Sequence, residues 1–154
     1  MFQPNTSAGE LVINGVSMHT TAWRIRNIGV LWFDSPLRGS YVVTPGIDGE
    51  TVVPMRQSSA QWSLDFVMCG DCDHNGDTFT DPNEGLASNM NYLRTNVLTG
   101  RTLTGNRTRA ATLQVPGESG TRSADVHCWL VPGEVTTTYF TATLELRIPT
   151  GAFL

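Results

Sequence analysis

The chain has 154 residues and a mass of 16.8 kDa, with 40% hydrophobic and 16% charged residues, the makeup of one strand-leaning globular domain that buries its core without disulfide or metal staples. Its formal net charge is -4, and all ten basic residues are arginines scattered along the chain, which excludes a phosphate-binding stripe and the lysine chemistry of P-loops, Schiff bases and general bases. Three cysteines, an odd number, argue against a secreted disulfide framework, and no secretory signal is visible at the N-terminus, so synthesis in a cytosol is expected.

A single domain is expected over residues 1–154, with 1–9, polar and holding Pro4 and Gly9, as a flexible N-terminal arm that orders where a neighbour holds it. A first strand is expected from Glu10 to Val16. A second starts at Ala22, with Trp23 and Ile25 alternating against Arg24 and Arg26. The apolar phase then shifts to Ile28, Val30 and Trp32, which predicts a bulge or break near Asn27. Thr44-Pro45-Gly46-Ile47-Asp48-Gly49-Glu50 is dense in turn residues and predicts a hairpin. From Ala60 to Met68, the apolar Ala60, Trp62, Leu64, Phe66 and Met68 alternate with Gln61, Ser63 and Asp65, the period of a strand with one buried and one wetted face.

An acidic loop, Gly70 to Asp81, leads to the one clear helix, about residues 82–98. Asp81 suits the N-cap, Pro82 the first helical position and Glu84 the capping box. Leu86, Met90, Leu93 and Val97 recur on one face, so the helix must cover a sheet, and Gly100 supplies the stop. After a loop over 99–108, a strand from Ala110 to Val115 ends at Pro116-Gly117. The next alternates Ala124, Val126, Cys128 and Leu130 with Ser123, Asp125 and His127 and ends at Pro132-Gly133. A last strand alternates Phe140, Ala142, Leu144, Leu146 and Ile148 with Thr141, Thr143, Glu145 and Arg147. Clean alternation favours an antiparallel meander. The expected fold class is mainly β, an antiparallel β-sandwich or small barrel with one packed α-helix.

Few constellations point to chemistry. Cys69-Gly70-Asp71-Cys72-Asp73-His74 has the form of a zinc half-site, but its completion needs His127 or Cys128, which a strand points to opposite faces. The plainer reading, two small sheet residues and an incidental loop thiol, is preferred, and no cofactor is expected. Asp71, Asp73, Asn75 and Asp77 with Gly76 match the start of a calcium loop, yet its twelfth position is Pro82 instead of a bidentate Glu. A solvated connection is the preferred reading there too. No nucleophile elbow, zincin motif or phosphate loop is present, so the chain is expected not to be an enzyme; the residual hydrolase reading rests on Cys72 or His127. No apolar run approaches the ~20 residues of a membrane span. Trp129 falls in the polar phase of its strand, which marks a second packing surface or a bulge.

The hairpin Pro45-Gly46-Ile47-Asp48-Gly49-Glu50, the strand Gln61-Trp62-Ser63-Leu64-Asp65-Phe66, the acidic loop with Asn75-Gly76-Asp77, and the helix from Glu84-Gly85-Leu86 to Leu93-Arg94 occur in an order that resembles the N-terminal belt domain of siphophage distal tail proteins, and more distantly tail-tube proteins. The resemblance implies a hexameric ring at the distal end of a long non-contractile tail. Such a hub joins tail tube to tip and leaves a channel for DNA, which passes only as transient cargo. It implies a virion protein made in the host cytoplasm, whose partners are copies of itself and other tail proteins, with no membrane. Ending at Leu154, the chain is expected to leave no room for a galectin-like C-terminal domain. On this reading Gln61, Ser63, Asp65, Thr141, Thr143, Glu145 and Arg147 are lumen-facing candidates. Pro45, Ile47, Asp48 and Trp129 are candidates for subunit contact. The alternative is a monomeric β-sandwich carbohydrate-binding module using exposed Trp residues, with calcium in the Asp71 loop.

Overall fold

The computed structural model of the chain describes residues 1–2, 10–32, 37–38, 41–43, 50–52, 56–57, 60–99, 108–151 and 153–154. Its strands are β1 (Glu10–Ile13), β2 (Val16–Ser17), β3 (Trp23–Ile25), β4 (Leu37–Arg38), β5 (Tyr41–Val43), β6 (Glu50–Val52), β7 (Arg56–Gln57), β8 (Ala60–Cys69), β9 (Arg109–Gln114), β10 (Thr121–Val135) and β11 (Tyr139–Ile148). One α-helix, α1 (Pro82–Asn96), and a 3₁₀ helix over Ile28–Trp32 complete the described elements. Seven strands form one curled antiparallel sheet in the order β2-β1-β9-β10-β11-β8-β3. The mainly-β class with a single packed helix is therefore what forms, and β9, β10 and β11 make the expected meander. Outside the sheet, β5 pairs with β6 and β4 with β7, as a hairpin requires, while residues 44–49, where the turn is expected, and residues 3–9 lie outside the described residues.

The period-two pattern works as written. β8 and β11 pair over ten positions, from Ala60↔Ile148 to Cys69↔Tyr139, which sets Leu64 beside Leu144, Phe66 beside Ala142 and Met68 beside Phe140. Directly opposed residues share a face. With Cys128 of β10, these side chains make a core that includes Leu11, Ile13, Leu113, Trp23, Leu86 and Leu93, and half-buried Leu130 packs against it. Asp81 is the N-cap as expected, its Oδ1 accepting from the Asn83 amide at 3.0 Å. The helix docks through two glycines: a Cβ on Gly85 would stand 1.9 Å from the Gly70 carbonyl oxygen, and one on Gly70 would stand 2.1 Å from that of Pro82. Only hydrogen at both positions lets the helix backbone lie against the end of β8.

Two local expectations are corrected, and the expected break near Asn27 takes a definite form. The strand expected over Glu10 to Val16 is a hairpin. Asn14 and Gly15 take positive φ (51° and 78°) and close a two-residue turn in which Ile13 pairs with Val16. The break expected near Asn27 is present, and the phase-shifted residues after it form the 3₁₀ helix. There Asn27 Oδ1 accepts from the Asp65 amide at 2.7 Å and its Nδ2 donates to Ser63 O at 3.3 Å, so a side chain ends the ladder to β8 and the chain turns away. That 3₁₀ helix buries Ile28 and Leu31, one eclipsed i,i+3 pair. Pro132-Gly133 does not turn. β10 runs on with a register shift between Pro132 and Val135, and the reversal comes at Thr136, whose amide donates to Tyr139 O at 2.9 Å.

Candidate functional site

Opposite the core, β8 and β11 carry a mostly polar face, broken by Val67, which is 4% exposed. Across β8 and β11, Gln61 stands opposite Arg147, Ser63 opposite Glu145 and Asp65 opposite Thr143, while Thr141 faces Val67. All seven residues singled out as lumen candidates thus come together. Glu145 is the centre of the row: its carboxylate accepts from Ser63 Oγ at 2.9 Å and from Gln61 Nε2 at 3.2 Å. The face continues onto β10, where Trp129 stands opposite Glu145 and His127 opposite Arg147. The polar-phase position of Trp129 is therefore real and not a product of the bulge, which lies past Pro132. Its ring is half-buried, and its Nε1 is shielded from solvent without a hydrogen-bond acceptor among the described residues. That Trp129 belongs with the Glu145 row could not be read from β10 alone, because it depends on the β10–β11 register. Pro45, Ile47 and Asp48 lie outside the described residues.

On the core side, Asn27, Gly29, Val30, Trp32 and Trp62 line an open apolar groove of about 540 Å³. It offers apolar contact without a reactive group.

The loop after β8 is wired to itself and to the body. Asp73 Oδ1 accepts from the amides of Asn75 and Asp77, both at 2.9 Å, so one oxygen of the calcium pattern is spent on an Asx turn. Asp71 holds the Met1 ammonium at 2.8 Å, and the Phe2 amide donates to Thr21 O at 2.8 Å, which ties the first two residues of the arm to the domain. Cys69 and Cys72 come together, Sγ to Sγ at 3.8 Å, whereas Cys128 lies elsewhere, its thiol donating to Val97 O at 3.1 Å. His74 stacks on Tyr92 at 4.2 Å between ring centroids and on Trp23 at 5.7 Å. Asn89, which no sequence motif singled out, is 2% exposed. Its Nδ2 donates to both Cys69 O (3.0 Å) and Cys72 O (2.9 Å). A polar residue one position before Met90 on the apolar face was the available signal.

Electrostatics leave no activated nucleophile among the three thiols. Burial, helped by an Asp71 hydrogen bond and the Cys72 sulfur, pushes Cys69 up to about 12. Burial likewise raises Cys128 to about 11 and moves Cys72 upward. A catalytic cysteine needs the opposite shift. His19 is lowered by burial and by the Arg24 guanidinium.

No family model and no curated protein matches the chain. Among solved structures, its fold is similar to that of the Dit (gp 19.1) protein of SPP1, described as a paradigm of the hub adsorption apparatus in phages infecting Gram-positive bacteria. The TM-score is 0.50 and the identity 14%, over 92% of this chain and 49% of the other. The chain thus spans about half the length of that protein. The likeness in fold is to the family whose belt domain the sequence resembles. No helix among the described residues is long and apolar enough to cross a membrane.

Proposed function

We propose that this chain is a structural subunit of a long non-contractile phage tail, assembling head to tail into a hexameric ring at its distal end and acting as hub between tail tube and tip, without enzymatic activity. The observation that carries this reading is the fold likeness to a tail hub protein over nearly the whole chain, joined to a broad polar sheet face in place of a reactive cleft. In the ring, Gln61, Ser63, Asp65, Thr141, Thr143, Glu145 and Arg147 face the channel. The net charge of -4 per subunit keeps passing DNA from adhering. Trp129, one strand further along the same face, sits where the next subunit abuts and supplies an acceptor for its unpaired Nε1. The hairpin bearing Pro45, Ile47 and Asp48 reaches a neighbour. Heterologous contacts of this kind close into rings.

Light scattering of the concentrated protein with negative-stain imaging tests the proposal. A closed ring is expected; a monodisperse monomer, together with no ring of this protein on tail particles, overturns it. The competing glycan-binding module predicts a monomer whose melting point falls on chelation of calcium.

A further inference from the structure

We propose that Cys69 and Cys72, with the Asp71 carboxylate and the Thr21 carbonyl oxygen, form a structural site for a single zinc ion at the corner where β8 passes into the acidic loop. This inference does not depend on ring assembly. The donor set differs from the half-site suggested by sequence, since neither Cys128, His127 nor His74 takes part.

The geometry carries it. The two sulfurs are 3.8 Å apart, and the Thr21 oxygen lies 3.5 Å from Cys69 Sγ and 3.3 Å from Cys72 Sγ. A tetrahedral ion with Zn–S bonds of about 2.3 Å and Zn–O bonds of about 2.1 Å needs S···S edges of about 3.8 Å and S···O edges of about 3.6 Å. The three atoms therefore already approximate one face of the tetrahedron. Asp71 offers the fourth corner, a carboxylate oxygen within 4.8 Å of both sulfurs, from a side chain that is 54% exposed. Its exposure gives the ion an entry path, and the Met1 ammonium, 2.8 Å from Asp71 Oδ2, moves aside as the ion binds.

The supporting shell is equally specific. Asn89 Nδ2 clamps both cysteine carbonyls, and Thr21 Oγ1 donates to Asp73 O at 2.8 Å, so helix, loop and the segment before β3 hold the donors in place. Paired thiolates select a soft or borderline ion over calcium or magnesium, and zinc accepts mixed sulfur and oxygen donors in a tetrahedron. On binding, the metal replaces the two thiol protons, which leave to solvent, and no electrons move.

Cobalt(II) titration of the phosphine-reduced protein provides the test, with three free thiols confirmed by counting. We expect binding of a single Co2+ per chain with thiolate-to-cobalt absorption in the near ultraviolet, discharged by one equivalent of Zn2+. Cys72→Ser is expected to abolish the band and Cys128→Ser to keep it. Asp71→Asn, on an exposed side chain, is expected to keep it while weakening the affinity by on the order of tenfold. Absence of the band in the fully reduced protein, its survival in Cys72→Ser, or its loss in Cys128→Ser overturns the assignment. Should circular dichroism show Cys72→Ser unfolded, Asp71→Asn decides, and unchanged cobalt affinity there overturns the site.

Discussion

Asn89 is the side chain whose removal tests the packing of helix on sheet most sharply. It is 2% exposed and donates one hydrogen to Cys69 O at 3.0 Å and the other to Cys72 O at 2.9 Å. Asn89→Ala removes two hydrogen bonds worth about 1 kcal/mol each and strands the carbonyls in a dry site, so the loss should reach about 3 kcal/mol. For a domain of this size that is a melting-point drop of roughly 6–12 °C. Urea denaturation should show a lower midpoint at an unchanged slope. Asn89→Asp is the stricter variant, because it keeps the shape but leaves at most one O–H donor, present only while protonated, to face two carbonyl oxygens. The buried carboxyl must stay protonated, so its folded pKa lies above the ordinary value of about 3.9. Its cost should therefore grow as pH rises above about 4, by as much as about 1.4 kcal/mol per unit until the folded pKa is passed. A loss under about 1 kcal/mol for Asn89→Ala, where two bonds of about 1 kcal/mol each are counted, refutes the reasoning, as does an Asn89→Asp deficit flat between pH 4 and 7.

Three further perturbations follow from the same structure. Gly85→Ala gains about 1 kcal/mol of helix propensity, but its Cβ would lie 1.9 Å from the Gly70 carbonyl oxygen. A net loss of roughly 2 kcal/mol or more is expected in urea melts, and a gain in stability would show that the helix is not seated on β8. Leu144→Ala, at a fully buried position between Leu64 and Leu130, should cost about 3–4 kcal/mol; a cost below about 1.5 would mean that the site collapses around the gap. The Asp71 carboxyl is held down at about 2 by a hydrogen bond from Cys69 and by the Met1 ammonium, so its stabilising share is present above about pH 4 and lost as pH falls through about 2. The ammonium is raised by the same contact, so its share holds below about pH 8 and fades as pH climbs through the raised value. With both groups about half exposed, the pair contributes a few tenths of a kcal/mol; wild type and Asp71→Asn should converge in stability at pH 2.

Strand existence was legible where one face is buried and the other wet. In β8, β10 and β11 the alternation names the core positions, and in α1 Asp81, Pro82 and Leu86 mark the start and the buried stripe, because both signals are local and physical. Asn14-Gly15 is equally local: Asn-Gly supplies the positive φ values of a two-residue hairpin turn, which divides the seven-residue run from Glu10 to Val16. Pro132-Gly133 misled in the opposite direction. A Pro-Gly pair turns only where the chain is free to turn, and here β11 holds β10 in its ladder, with Gly133 closely packed on the Thr141 backbone.

The candidate sites divide along the same line. The sequence by itself determined which residues of each strand are wet, because hydropathy at period two needs no partner. It could not determine that the rows of β8, β10 and β11 merge into one face with Trp129 opposite Glu145, since register is set between strands. Nor could it bring Thr21 against Cys69 and Cys72, 48 and 51 positions away. That meeting exists only because β3 pairs with the end of β8 and α1, seated on two glycines, presses Asn89 onto the corner between them.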